Sequence, residues 1–189
     1  MILDCVPNGP YFGPYGTSRT DPMTGAAQRF PEPAEVTPEL RDYQHAIRTG
    51  EPEEHRYVTL LGLSQLDALG LAREVERGLP YRAFERFLRN SALSREELAL
   101  VVNVPLRTLH RRRAQGRLGR DESDRLVRVT RIFARALELF EGNRDSARRW
   151  LSTPLAALRH ESPLNLARTE VGSREVESLI GRLEHGVTS

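Results

Sequence analysis

The sequence contains no lysine; all 28 basic residues of the 189 are arginine. That excludes chemistry built on a lysine amine, such as a P-loop grip on phosphate or a Schiff base. There is one cysteine, Cys5, so no intrachain disulfide can form and a reducing compartment fits. The first twenty residues have no apolar signal core, and no hydrophobic run approaches the roughly 20 residues of a membrane span. These features point to a cytoplasmic protein with no membrane association. His45, His55, His110, His160 and His185 are scattered, with no His/Cys/carboxylate cluster at metal-ligand spacing. Neither a nucleophile–base phrase nor a Gly-rich phosphate loop occurs. The expectation is a protein without catalysis, metal or cofactor.

Positive charge is abundant in one region only. The net charge is +2, but residues 1–81 carry 7 Arg and 12 acids (−5), residues 82–149 carry 17 Arg and 9 acids (+8), and residues 150–189 carry 4 Arg and 5 acids (−1). A basic middle between acidic ends points to a polyanionic partner for the middle. Its densest part, "NVPLRTLHRRRAQGRLGR" from Asn103 to Arg120, holds six arginines, one histidine and no acid.

Residues 1–56 hold 8 Pro and 5 Gly, a density that disfavours long helices. They read as an irregular arm with at most a short helix near Glu39–Arg48. Tyr11, Phe12 and Tyr15 either dock on a partner or belong to a disordered tail. On this reading residues 1–50 are dispensable for folding. From Tyr57 the pattern becomes helical. Ser64 is a candidate cap for a helix with Leu66, Leu69, Ala72 and Val75 on one face, stopped by Gly78 and Pro80. The next helix turns Ala83, Phe84, Phe87 and Leu88 inward. "SREE" then offers a capping box between Ser94 and Glu97. No segment alternates with period two for long, so the fold reads as all-α.

Leu98, Ala99 and Val102, then Asn103-Val104-Pro105, then Leu106 and Leu109 have the spacing of a helix-turn-helix over about 94–115. Asn103 suits the left-handed turn position, Val104 plugs the angle between the helices, and Pro105 suits the first turn of the second helix. The arginines then lie on a recognition helix and its trailing loop. Arg107, Thr108, Arg111 and Arg112 fall at helical spacing for a major groove, with Arg113, Arg117 and Arg120 as phosphate contacts. Arg112 occupies a position where such motifs often carry an apolar residue, and internal pairing is the alternative for it.

Asp121–Phe140 reads as one long amphipathic helix with Leu126, Val129, Phe133, Leu137 and Phe140 on its core face, ended by Gly142. Asn143 caps a helix carrying Trp150 and Leu151, Ser162-Pro163 opens a short one, and Thr169 starts the last. That helix has Val176, Leu179, Ile180 and Leu183 as its apolar stripe and Gly186 beyond its end.

The phrases "RTLHRRRAQGRL", "ESDRLVRVTRIFARALELF", "ARRWLSTPLAAL", "SPLNLARTEVG" and "VESLIGRLEHGV" follow one another over residues of about 80–189. In this order they resemble the Xre-type antitoxins of RES–Xre toxin–antitoxin systems, with their C-terminal Xre/MbcA/ParS toxin-binding domain. The resemblance implies a helix-turn-helix half (57–122) that binds and represses the operon's promoter. It also implies a toxin-binding half (123–189) that silences an NAD-depleting RES-domain toxin, and no catalysis. It places toxin contacts at Ser162 and Leu164 and at the end of the last helix. There Arg182, Glu184, His185, Gly186 and Val187 would face the mouth of the toxin's NAD pocket. A simple helix cap is the plainer reading of that end. Two other functions remain open: a stand-alone transcription regulator with a ligand-sensing C-terminal half, and a pure inhibitor without DNA binding. A homodimer on operator DNA is expected, because two half-sites add avidity.

Overall fold

The computed structural model describes residues 36–50, 55–64 and 67–186. Cys5, Tyr11, Phe12, Tyr15, Leu66 and Val187 lie outside the described residues. Nine α-helices are found among the described residues: α1 Pro38–Thr49, α2 Ala68–Arg77, α3 Tyr81–Ser91, α4 Arg95–Val101, α5 Leu106–Gln115, α6 Arg120–Leu139, α7 Arg144–Ser152, α8 Pro163–Leu166 and α9 Glu170–Glu184. Short 3-10 helices cover Arg56–Leu61 and Ala156–Leu158. Extended pairing among the described residues is limited to two isolated bridges, Pro80 with Arg117 and Leu155 with Glu161. The all-helical expectation holds, and no described helix is long and apolar enough to cross a membrane.

The long helix α6 is the spine. Leu126, Val129, Ile132, Phe133, Ala136 and Leu137 fill its buried stripe, at the three- and four-residue spacing that keeps one face inward. It packs against α2, α3, α7, α9 and the first 3-10 helix. Phe133 meets Phe87 of α3 edge to face, with ring centroids 5.6 Å apart, an arrangement that adds to the area term. One buried cluster therefore runs from Leu40 to Ile180. The division expected between residues 122 and 123 falls inside α6 and is not a packing boundary, because both halves bury their apolar faces on this one helix.

The short helix expected near Glu39–Arg48 is present as α1, but it is not part of a loose arm. Pro38 does not prevent a helix; it stands at the first position of α1, where its missing N–H costs nothing, and Thr37 caps the end by accepting from the Leu40 backbone N–H at 3.2 Å. Leu40, Tyr43 and Ala46 are buried. The Tyr43 hydroxyl donates to Glu138 of α6 at 2.8 Å, and the Gln44 side-chain amide donates to the Gly142 carbonyl at 2.8 Å. Burial and the neighbouring Glu138 carboxylate push the Tyr43 phenol far above its usual range, so it stays neutral. Glu39 pairs with Arg86 of α3. Residues 36–50 thus belong to the folded body.

In α2 the helical phase differs from that expected. Asp67, not Ser64, caps the helix by accepting from Gly70 N at 2.7 Å. Leu71 is its buried residue, while Leu69 is 68% exposed and Ala72 is also exposed. Most other local expectations hold, but Leu88, expected inward in α3, is only half-buried, and Leu183, expected on the apolar stripe of α9, is 39% exposed where that helix ends. Ala83, Phe84 and Phe87 are buried in α3, Asn143 caps α7, Ser162 and Pro163 open α8, and Thr169 caps α9.

Candidate functional site

The helix-turn-helix is built by local chemistry. Ser94 accepts from Glu97 N at 3.1 Å and Glu97 accepts from Ser94 N at 2.7 Å, a closed capping box at the start of α4. Asn103 takes the left-handed conformation at φ 53°, which asparagine tolerates better than most side chains. Val104 is buried, and its N–H reaches back to the Ala99 carbonyl at 2.9 Å. Leu98, Ala99, Val102 and Leu109 complete the seam. Leu106, expected inward, is 42% exposed instead: Val104 and Leu109 already fill the angle.

The six arginines separate into two groups. Arg107 and Arg111, four residues apart on one exposed face of α5, make no hydrogen bond or ion pair with the described residues. The other four are engaged. Arg112 Nε donates to both oxygens of Glu122 at 3.0 and 2.9 Å, and Glu122 also accepts from Gly119 N at 2.7 Å at the start of α6. Internal pairing, the alternative weighed for Arg112, is what the fold shows; the pair joins the recognition helix to the spine. Arg113 lies 3.9 Å from Glu85, and Arg120 lies 3.0 Å from Glu76. Arg117 donates to the Gly78 carbonyl at 2.6 Å, holding the α5–α6 connection against residues 78–81. Leu118 N bonds to Leu79 O at 2.8 Å, and Tyr81 N to Gly116 O at 2.9 Å, across the same junction. Arg113, Arg117 and Arg120 remain exposed and still add to the positive field. Thr108 is half-buried beside them.

The C-terminal candidates fall at the two ends of α9 rather than together. At its start, α8 docks so closely that a Cβ on Gly172 would lie 2.1 Å from the Leu166 carbonyl oxygen. Ser162 is occupied as the cap of α8, accepting from Asn165 N at 3.2 Å. Leu164 is buried in the core, so it supports this segment from beneath and offers no surface to a partner. Glu170, at the first position of α9, is held below the usual carboxylate range. Partial burial raises it, but hydrogen bonds from Arg174 and Arg128 and the Arg128 and Arg131 charges outweigh that. Val171 beside it is 75% exposed. It sits off the Val176–Leu179–Ile180 stripe, and that offset is the sequence signal by which it is recognisable. At the far end, about 22 Å away for a helix of this length, Arg182, Glu184, His185 and Gly186 form a rim. Glu184 accepts from Arg135 of α6 at 2.8 Å, Arg182 donates to Ser178 at 2.8 Å, and His185 and Gly186 are exposed at the terminus.

Comparisons with known proteins match this arrangement. The model of the antitoxin Xre-like helix-turn-helix domain matches residues 70–131, and that of the antitoxin Xre/MbcA/ParS C-terminal toxin-binding domain matches residues 135–186. The two matches divide the chain within α6. A protein named antitoxin Xre from Yersinia enterocolitica is 36% identical over 130 residues, covering 68% of this chain and 88% of the relative. One of the same name from Photorhabdus laumondii is 31% identical over 116 residues, covering 61% of this chain and 78% of its own length. A third, from Pseudomonas putida, is 37% identical over 84 residues, covering 44% of this chain and 52% of the relative. The matched domains are those of a non-enzymatic regulator, a helix-turn-helix and a toxin-binding domain. With its helix-turn-helix and toxin-binding domain joined through a single spine, the chain belongs to the Xre family of antitoxins.

Proposed function

We propose that the chain binds and inhibits a RES-domain, NAD-depleting toxin through its C-terminal half and represses its own operon through α5. The observation that carries the DNA half is the pair Arg107 and Arg111, which are exposed, unpartnered among the described residues and one turn apart on the recognition helix. An arginine without an internal partner is available for a guanine edge or a phosphate. Arg113 and Arg117 act at the margin, on phosphates, and Thr108 lies at the base of the groove contact. Arg112 serves by fixing α5 on α6. Two copies bind an operator with two half-sites.

An electrophoretic shift with the promoter fragment tests this half. Arg107→Ala/Arg111→Ala leaves the fold intact, because neither side chain is buried, and weakens promoter binding by about 1–3 kcal/mol for each base that the arginines read. Undiminished binding by the folded double variant removes DNA from the account of α5.

The toxin contact is assigned to the rim formed by Arg182, Glu184, His185 and Gly186, and to Val187 after it in the sequence; a bulky partner covering the toxin's NAD pocket there inhibits by exclusion. Removing residues 184–189 deletes the rim apart from Arg182, and with it the Glu184–Arg135 pair. A partly exposed ion pair is worth about 1 kcal/mol or less, so the truncated chain is expected to fold and to shift promoter DNA. Its calorimetric affinity for the RES toxin is expected to fall, and NAD loss in cells expressing both proteins to return. Full neutralisation by the truncated chain moves the contact to the other end of α9, where Val171→Asp is then expected to abolish it.

A further inference from the structure

We propose that Leu106 is a specificity-determining residue that reads the 5-methyl group of a thymine in the operator. The inference rests on the assignment of α5 to DNA. Leu106 is the first residue of α5, directly after Pro105, and 42% exposed. Arg107 follows it in the chain and His110 lies one turn on, and both are exposed, as is Arg111. A single exposed leucine is not the contiguous patch of a few hundred Å² that marks a protein-docking surface. The core does not need it either, because Val104 and Leu109 already close the seam between α4 and α5.

The chemistry of the groove narrows the occupant. A leucine can accept nothing from and donate nothing to a phosphate, and it gains nothing from the donor and acceptor edges of guanine, cytosine or adenine. In the major groove the thymine methyl is the apolar group on offer. The start of a recognition helix is also the part that comes nearest the base edges in helix-turn-helix complexes. With Arg107 next in sequence and Arg111 one turn beyond Arg107, α5 then carries an apolar reader ahead of two hydrogen-bonding readers. That arrangement predicts a thymine next to a base pair contacted by arginine.

Replacing thymine by deoxyuridine keeps every hydrogen-bonding group and removes the methyl alone. The full-length chain is first used to enrich a duplex from a random pool. Each thymine of that duplex is then changed to deoxyuridine in turn, and affinities of the wild type and of Leu106→Ala are measured. The wild type is expected to lose about fourfold affinity at one thymine per half-site, the factor carried by one buried methyl group, and Leu106→Ala is expected to be indifferent to that change. Equal wild-type affinity for every thymine and deoxyuridine duplex overturns the inference without any variant. So does a Leu106→Ala protein that keeps the full penalty. A Leu106→Ala protein that loses toxin affinity while retaining the methyl penalty assigns the leucine to the toxin instead. Failure to enrich any duplex removes the DNA role of α5 itself, and this inference with it, an outcome distinct from the others.

Discussion

Removal of residues 1–50 is expected to lower the thermal midpoint of the chain by about 10–20 °C. The deletion takes away α1, and with it the buried Leu40, Tyr43 and Ala46 and the hydrogen bonds from Tyr43 to Glu138 and from Gln44 to Gly142. Truncating one buried leucine to alanine costs about 2–5 kcal/mol, and exposing the surfaces that α1 covers costs more. About 5 kcal/mol in a chain of this size corresponds to a midpoint shift on the order of 10–20 °C. Leu40→Ala alone, fully buried in the native state, is expected to lower it by about 6–12 °C through about 3 kcal/mol. Circular dichroism melts of both variants check this, and a deletion that melts like the wild type would show that α1 contributes nothing to the body.

Gly78→Ala is expected to destabilise the chain by about 2–5 kcal/mol, the sum of backbone strain and overpacking, and to weaken DNA binding as well. Gly78 has φ 79° and ψ 128°, a region that residues with a Cβ avoid. An added Cβ would lie 2.2 Å from the Leu118 carbonyl oxygen, a backbone atom that cannot swing away. The segment it would displace, residues 116–119, connects the recognition helix to the spine and carries the Arg117 bond to Gly78. Gly181→Ala is the control. Gly181 lies in α9 with open space around it, so alanine there is expected to stabilise by up to about 1 kcal/mol. Urea denaturation of the two variants gives shifts of opposite sign; a harmless Gly78→Ala would mean that residues 78 and 118 do not approach closely.

The parts of this fold that are legible in the sequence are those fixed by neighbouring residues. The Ser94–Glu97 box, Asn103 in the left-handed turn, Asn143, Ser162 and Thr169 as caps, and the α6 stripe each depend on a few adjacent side chains, and each stands where expected. The rest depends on distant parts of the chain. The apolar face of α1 is three residues in a proline-rich context, and nothing local shows that Glu138 and Gly142 await it. The phase of α2 is ambiguous in sequence because Leu69 and Leu71 are both apolar, and which one faces inward is decided by α6. Leu106 has the spacing of a core residue, since it precedes Leu109 by one turn, yet Val104 already occupies the space. In the candidate site the dense arginine run is visible in the sequence, but its division into unpartnered Arg107 and Arg111 and the engaged others is not. Glu122, Glu85, Glu76 and the Gly78 carbonyl come from other elements.

The charge of the chain divides as its two proposed activities do. The basic part surrounds α5, while α9 presents a mixed surface in which Arg128, Arg131 and Arg135 of the spine are paired with Glu170, Glu177 and Glu184. The Arg112–Glu122 pair and these three attach both α5 and α9 to the same rigid helix, at different places along it. A toxin on the α9 rim and DNA on α5 then need not compete for one surface.

The most direct test is the electrophoretic mobility of the promoter fragment mixed with the full-length chain and with the RES-domain toxin proposed as its partner. A shifted band is expected with the chain alone and a slower band on adding toxin, with DNA, chain and toxin all recovered from it. No shift with the chain, or a toxin that releases the DNA without forming the slower complex, would contradict the assignment of two separate binding surfaces.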